Sequence, residues 1–150
     1  MSLNEETELL RCCPLFQRIE PAKLKLLAFT SERLTFAAGQ ELFHQGDVPD
    51  ACYIIIEGEA EVMVDMPRGP LVVAKMGKND LAGEIGILCD VPRTATVRAV
   101  TALTTLKISK ELFFRMVMDF PTMGVEIMRV LAHRLDHTTT KLREALATQA

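Results

Sequence analysis

Apolar residues change their spacing four times along this chain, and each change marks a switch between helical and strand elements. Near the start, Leu9, Leu10 and Cys13 form a helical stripe. Asn4 is placed to cap it, and Glu5 and Glu6 fall in its first turn, where carboxylates suit the unpaired amides. Pro14 stops that stripe. A second short helix is predicted from Pro21 to about Phe29, with Leu24, Leu27 and Ala28 on one face. From Ser31 the period shortens. Runs rich in Val, Ile, Phe and Thr are divided by turn sequences: Ala38-Gly39-Gln40, Gln45-Gly46-Asp47, Glu57-Gly58-Glu59, Pro67-Arg68-Gly69-Pro70 and Gly77-Lys78-Asn79. Such regular short runs predict an antiparallel sandwich or barrel. Glu59 to Val64 alternates an acidic face with an apolar one, whereas Tyr53-Ile54-Ile55-Ile56 is apolar throughout and predicts a buried strand. Gly58 fits a tight connection that needs positive φ.

A helical insert, Gly83 to Ala95, breaks this rhythm before strand character returns at Ala95-Thr96-Val97 and again over 103–108. The period then becomes helical for good. Ser109 caps a helix with Glu111 in its first turn and Leu112, Phe113, Met116 and Val117 on its apolar face. Pro121 ends that helix and opens a longer one. In the longer helix Met128, Leu131, Leu135, Thr138, Leu142 and Ala145 recur by threes and fours, close to a heptad seam. Two copies pairing through this helix, as a homodimer, is the expectation; the alternative is a helix folded back on its own barrel. The predicted fold is mainly β with flanking α: an antiparallel jelly-roll β-barrel with N-terminal helices and a long C-terminal helix. It is read as one domain over 1–150, with helices in 1–30, the barrel in 31–108 and helices in 109–150.

Composition narrows the function. The chain has 150 residues, 49% hydrophobic and 25% charged, with a formal net charge of −3. These values describe a globular chain and argue against direct nucleic-acid binding, which needs a basic face. No apolar run is long enough to cross a membrane, and no secretory signal pattern opens the chain. Cys12, Cys13, Cys52 and Cys89 have neither zinc-site nor disulfide spacing. Free thiols point to a reducing, cytoplasmic setting; a redox role for the Cys12–Cys13 pair is the lesser reading beside simple packing. No serine or cysteine has a nucleophile's setting, so no catalytic residue is assigned and the chain is read as a non-enzyme. Jelly-roll metalloenzymes of the cupin type are a rival, but His44 alone lies in the barrel segment, and His133 and His137 lack a catalytic glutamate between them. No metal site is expected.

The insert carries the chemistry. It reads GEIGILCDVPRTATV over 83–97. A short helix starting at Glu84 leaves amides free after Gly83, those of Glu84, Ile85 and Gly86, and free amides suit an anion. Arg93 adds a guanidinium fork matched to two phosphate oxygens, and Thr94 adds a hydroxyl. A lone carboxylate repels phosphate, so Glu84 is read instead as an acceptor for sugar hydroxyls. The constellation suits a small ligand with both a phosphate and a ribose.

Gly83, Glu84, Pro92, Arg93, Thr94 and Ala95 resemble, at the same spacing, the phosphate-binding cassette of cyclic-nucleotide-binding domains. That family includes kinase regulatory subunits, gated channels and the bacterial catabolite-activator type of regulator. Ala82 departs from it, since many members carry an aromatic residue there. The resemblance implies a cyclic nucleotide as ligand and no cofactor, with Glu84 on the ribose 2′-hydroxyl, Arg93 on the cyclic phosphate, and Gly83 and Thr94 supplying backbone and hydroxyl contacts. The segment from Pro121 through Leu135 resembles the dimer helix of the catabolite-activator type. The resemblance places Thr138 and Thr139 at positions that contact the purine amine, one from each subunit. Thr94 is compatible with cyclic AMP and cyclic GMP, and Thr138 and Thr139 favour cyclic AMP. The sequence beyond Ala145 shows no helix-turn-helix, kinase or channel segment, so the expectation is a separate effector protein or an effector domain missing from a fragment. A barrel that keeps the fold without binding nucleotide, serving as a dimerisation scaffold, is the alternative.

Overall fold

The computed structural model describes residues 3–148 except 14, 15 and 18. Two helices open the chain, α1 (Leu3–Arg11) and α2 (Pro21–Thr30). Leu3 is already helical, so Asn4 lies one residue inside α1 rather than at its cap, and the expected stop at Pro14 lies outside the described residues. Six strands follow: β1 (Glu32–Phe36), β2 (Glu41–Phe43), β3 (Ala51–Glu57), β4 (Ala60–Met66), β5 (Gly69–Met76) and β6 (Leu81–Ala82). A short helix α3 (Glu84–Cys89) separates them from β7 (Thr96–Ala99) and β8 (Leu103–Ser109). The chain continues through α4 (Lys110–Asp119) and α5 (Pro121–Thr148).

The strands form two antiparallel four-stranded sheets, β1-β8-β3-β6 and β2-β7-β4-β5, the jelly roll that the turn spacing predicts. β3 explains its own sequence. Tyr53 and Ile55 belong to the core between the sheets, with Leu42, Val97 and Leu103, while Cys52, Ile54 and Ile56 join the core under the helices, with Phe16, Leu24 and Phe113. A strand covered on both faces has no use for alternation. In β4 the alternation is broken: Val62 pairs with Ala74 but Met63 with Val72, so β5 bulges at Val73 and Met63 is buried out of phase.

Ser109 caps α4 as expected, its hydroxyl accepting from the Leu112 amide at 3.2 Å. Only the first turns of α5 are buried, at Met123 and Ile127. Beyond them Leu135 is 69% exposed, and Met128 and Leu142 are exposed as well. The long helix is thus anchored over its first turns, where Val130 and Leu131 still pack against the core, and its apolar stripe is uncovered from Leu135 onward.

Candidate functional site

The insert sits where β6 ends and β7 has not begun. Gly83 makes the turn into α3 with φ +88°, and a Cβ there would lie 2.6 Å from Arg93 Nη1 and 3.1 Å from Phe43 Cε2. A left-handed backbone and the lack of room both call for glycine. α3 lasts six residues and ends at Asp90, also left-handed at φ +53°. The chain then returns to the barrel as Arg93, whose backbone is fixed twice against the Gly46-Asp47 turn. Its amide donates to Asp47 O, and its carbonyl accepts from Gly46 N, both at 2.8 Å.

The Arg93 side chain turns inward and is 3% exposed. Nη1 donates to Gly83 O at 2.7 Å and Nη2 to Ala51 O at 2.5 Å. The guanidinium carbon lies 4.0 Å from the centre of the Phe43 ring. Its nearest carboxylate is Asp50, at 3.8 Å and largely exposed. Burial lowers its pKa from the usual arginine value. Nε is buried and makes no hydrogen bond.

Glu84 is 2% exposed at the start of α3. Arg134 of α5 reaches it, Nη1 donating to Glu84 Oε1 while Nη2 donates to Leu81 O at 2.6 Å. Burial raises the Glu84 pKa, and the Arg134 charge opposes that rise. Between the two arginines lies a cavity of about 90 Å³. Gly83, Glu84, Ile85, Gly86, Arg93, Thr94 and Ala95 all line it, so the structure gathers every cassette residue that the sequence singles out. Thr138 and Thr139 do not line it within one chain; Thr138 is exposed, and the Thr139 hydroxyl donates to Leu135 O at 2.8 Å.

Four other lining residues were not singled out by the sequence pattern: Phe43, Val62, Met76 and Arg134. Arg134 had a readable signal, because it follows Met123 and Ile127 by eleven and seven residues and so keeps the buried phase of the helix. Phe43 and Met76 reach the site only through strand pairing, which local sequence does not encode. Among the described residues no group of three or more His, Cys, Asp or Glu side chains is placed to hold a metal. No helix among them is long and apolar enough to cross a membrane.

Comparison with known proteins agrees with this geometry. Residues 33–120 match the family model "cyclic nucleotide-binding domain". The chain is similar to the CRP-like cAMP-activated global transcriptional regulator of Mycobacterium tuberculosis, 28% identical over 142 residues, which cover 94% of this chain and 63% of that protein. It therefore spans somewhat under two thirds of that relative's length. Among solved structures, the Thermus thermophilus catabolite activator protein aligns with a TM-score of 0.76 at 25% identity, covering 87% of this chain and 62% of the other. The fold alone is shared with the regulatory domain of Toxoplasma gondii PKA, crystallised with cAMP (TM-score 0.77, 20% identity, covering 87% and 50% of the two chains). On the family match, which takes in the whole barrel from β1 and its cassette, the chain belongs to the cyclic nucleotide-binding domain family.

Proposed function

We propose that this chain is a sensor that binds a cyclic nucleotide, cyclic AMP in preference to cyclic GMP, and passes the event on through α5. One observation carries the reading. Arg93 is a buried cation with no carboxylate closer than Asp50 and with Nε unpaired beside a cavity lined by the cassette. A buried charge of this kind is costly unless a ligand anion completes it. A cyclic phosphodiester carries one negative charge and two acceptor oxygens, which suits the donors that Arg93 keeps free.

The sugar role of Glu84 fits the same picture with an added step. Arg134 already holds the carboxylate, and the remaining cavity of about 90 Å³ is well below the ~300 Å³ of ordinary ligand pockets. A ribose that donates hydrogen bonds to Glu84 must share or displace Arg134. Because Arg134 belongs to α5, the ligand acts on the helix through that exchange. A ligand shifts a helix only as far as it binds one arrangement better, with coupling typically about 1–3 kcal/mol.

Pairing of two α5 helices completes the proposal. Val125, Met128, Leu135, Leu142 and Leu146 are exposed at steps of three, seven, seven and four residues, and Thr139 falls on the same stripe. A partner copy seated on this stripe brings Thr138 and Thr139 toward the purine, as the family resemblance implies. The Mycobacterium relative, cAMP-activated by name and aligned along nearly all of this chain, supports cyclic AMP over cyclic GMP.

Titration calorimetry with the two nucleotides tests the reading. Wild-type protein should bind both, with cyclic AMP tighter. Arg93→Ala should lose most of the binding, and Glu84→Ala should weaken it through the sugar. Unchanged affinity in Arg93→Ala would defeat the assignment.

A further inference from the structure

Phe43 has no polar atom for a ligand, yet its ring packs against the charge of Arg93 almost as closely as the nearest carboxylate does. The guanidinium carbon is 4.0 Å from its ring centre, against 3.8 Å from Nη2 to an exposed Asp50 oxygen, the one ion pair that Arg93 makes among the described residues. An arginine stacked on an aromatic face is held by the ring quadrupole and loses its freedom to rotate. The ring itself is not free. Phe43 stacks on Tyr53 with centroids 6.0 Å apart and planes 29° apart, and Tyr53 meets Phe36 edge-on at 6.4 Å. Tyr53 is buried in β3, which pairs with both β8 and β6. The stack therefore runs from the middle of one sheet to the guanidinium at the ligand cavity.

The donor count shows what the stack accomplishes. A guanidinium has five N–H groups in one plane. One Nη1 donor goes to Gly83 O and one Nη2 donor to Ala51 O, while Nε has no acceptor. With one face against Phe43 and both Nη atoms tied to carbonyls, the plane has a single setting. The free edge that carries Nε is then fixed before any anion arrives. Ordering a long side chain in advance removes a cost from binding.

We propose that Phe43 is the positioning residue of the phosphate site: its ring, clamped by Tyr53, stacks on Arg93 and holds the free guanidinium edge ready for the cyclic phosphodiester. The proposal rests on the reading of Arg93 as the phosphate ligand, but its test separates the two. Phe43 is replaced in the full chain by mono-, di- and trifluorophenylalanine, which keep the ring shape and progressively weaken its quadrupole, and by cyclohexylalanine, which keeps bulk without π electrons. The affinity for cyclic AMP should fall stepwise along the fluorinated series. The total loss should be about 3- to 30-fold, the span of a partly desolvated cation–π contact. The unfolding temperature should stay put, and Phe43→Tyr should restore wild-type affinity. An affinity that ignores fluorination, or that falls only in step with stability, overturns the positioning role. A second measurement needs no ligand. In the free protein the Arg93 Nε–H resonance should be slow to exchange and displaced by the ring current, and Phe43→Leu should abolish both features. If wild-type protein bound neither nucleotide, the phosphate reading would fall. A resonance unaltered by Phe43→Leu would instead remove Phe43 from the positioning of Arg93.

Discussion

Gly83 is where the backbone and the site make the same demand. Its φ of +88° is strained for any residue with a Cβ, and that Cβ would press on Arg93 Nη1 at 2.6 Å. Gly83→Ala should therefore cost about 1–3 kcal/mol in urea unfolding. It should also weaken nucleotide binding, because the nearest relief is to move the guanidinium. A variant with normal stability and normal affinity would mean that the turn relaxes without touching Arg93. A different control acts one strand away. His44 Nδ1 lies 3.1 Å from both Glu41 carboxylate oxygens and 3.3 Å from Thr96 Oγ1. The hydrogen bond to Glu41, then the charge of Glu41, raise the His44 pKa above 6.5, with Asp65 and Asp47 adding to the rise. The folded chain holds this proton more tightly than the unfolded chain. The stabilisation it brings is therefore complete below the unfolded pKa and is lost as pH rises through the folded one. An NMR titration of the His44 ring should show the raised midpoint, and Glu41→Gln should bring it back toward 6.5.

At the scale of elements, α5 is tied to the site by Arg134, through its ion pair with Glu84 and its hydrogen bond to Leu81 O. Glu84 is buried, so removing Arg134 strips the carboxylate of its main compensation and leaves the weaker help of a backbone hydrogen bond and the Arg93 charge. Arg134 is partly exposed, which moderates the penalty; Arg134→Ala should cost about 1–3 kcal/mol rather than the full cost of a sealed pair. Hydrogen exchange should rise in the middle of α5 while β3 keeps its protection. The double variant with Glu84→Gln should recover part of the loss, since no buried charge is then stranded. Exchange rising equally across β3 and α5 would argue against a local tie. The elements also show how far local sequence reaches. The cassette was legible because α3, its glycine, its proline and its arginine are contiguous, so chemistry and geometry share one stretch. β3 was legible because a strand buried on both sides is apolar throughout. The bulge at Val73 was not, since it depends on which residue of β4 each residue of β5 meets. Phe43 and Met76 escaped for the same reason: pairing across the sheets, not local sequence, brings them to the cavity.

For the molecule as a whole, the exposed stripe of α5 is a large area of apolar surface left in water by the single chain. Leu135 lies midway along it at 69% exposure, flanked one heptad away by Met128 and Leu142. Burying a leucine of this kind contributes about 1.5–3 kcal/mol, so a few from each copy suffice to hold two helices together. Leu135→Glu places like charges at the centre of that seam and should convert a dimer into a monomer in sedimentation velocity. Leu135 is absent from both buried cores, so the barrel should keep its unfolding temperature apart from the part contributed by assembly. If Thr138 and Thr139 meet the purine across the seam, the monomer should still bind through Arg93 and Glu84 but no longer prefer cyclic AMP to cyclic GMP. A monomer that kept the preference would remove both threonines from base recognition and leave the choice of purine to residues of the barrel, with Val62 and Met76 among the apolar side chains that line the cavity.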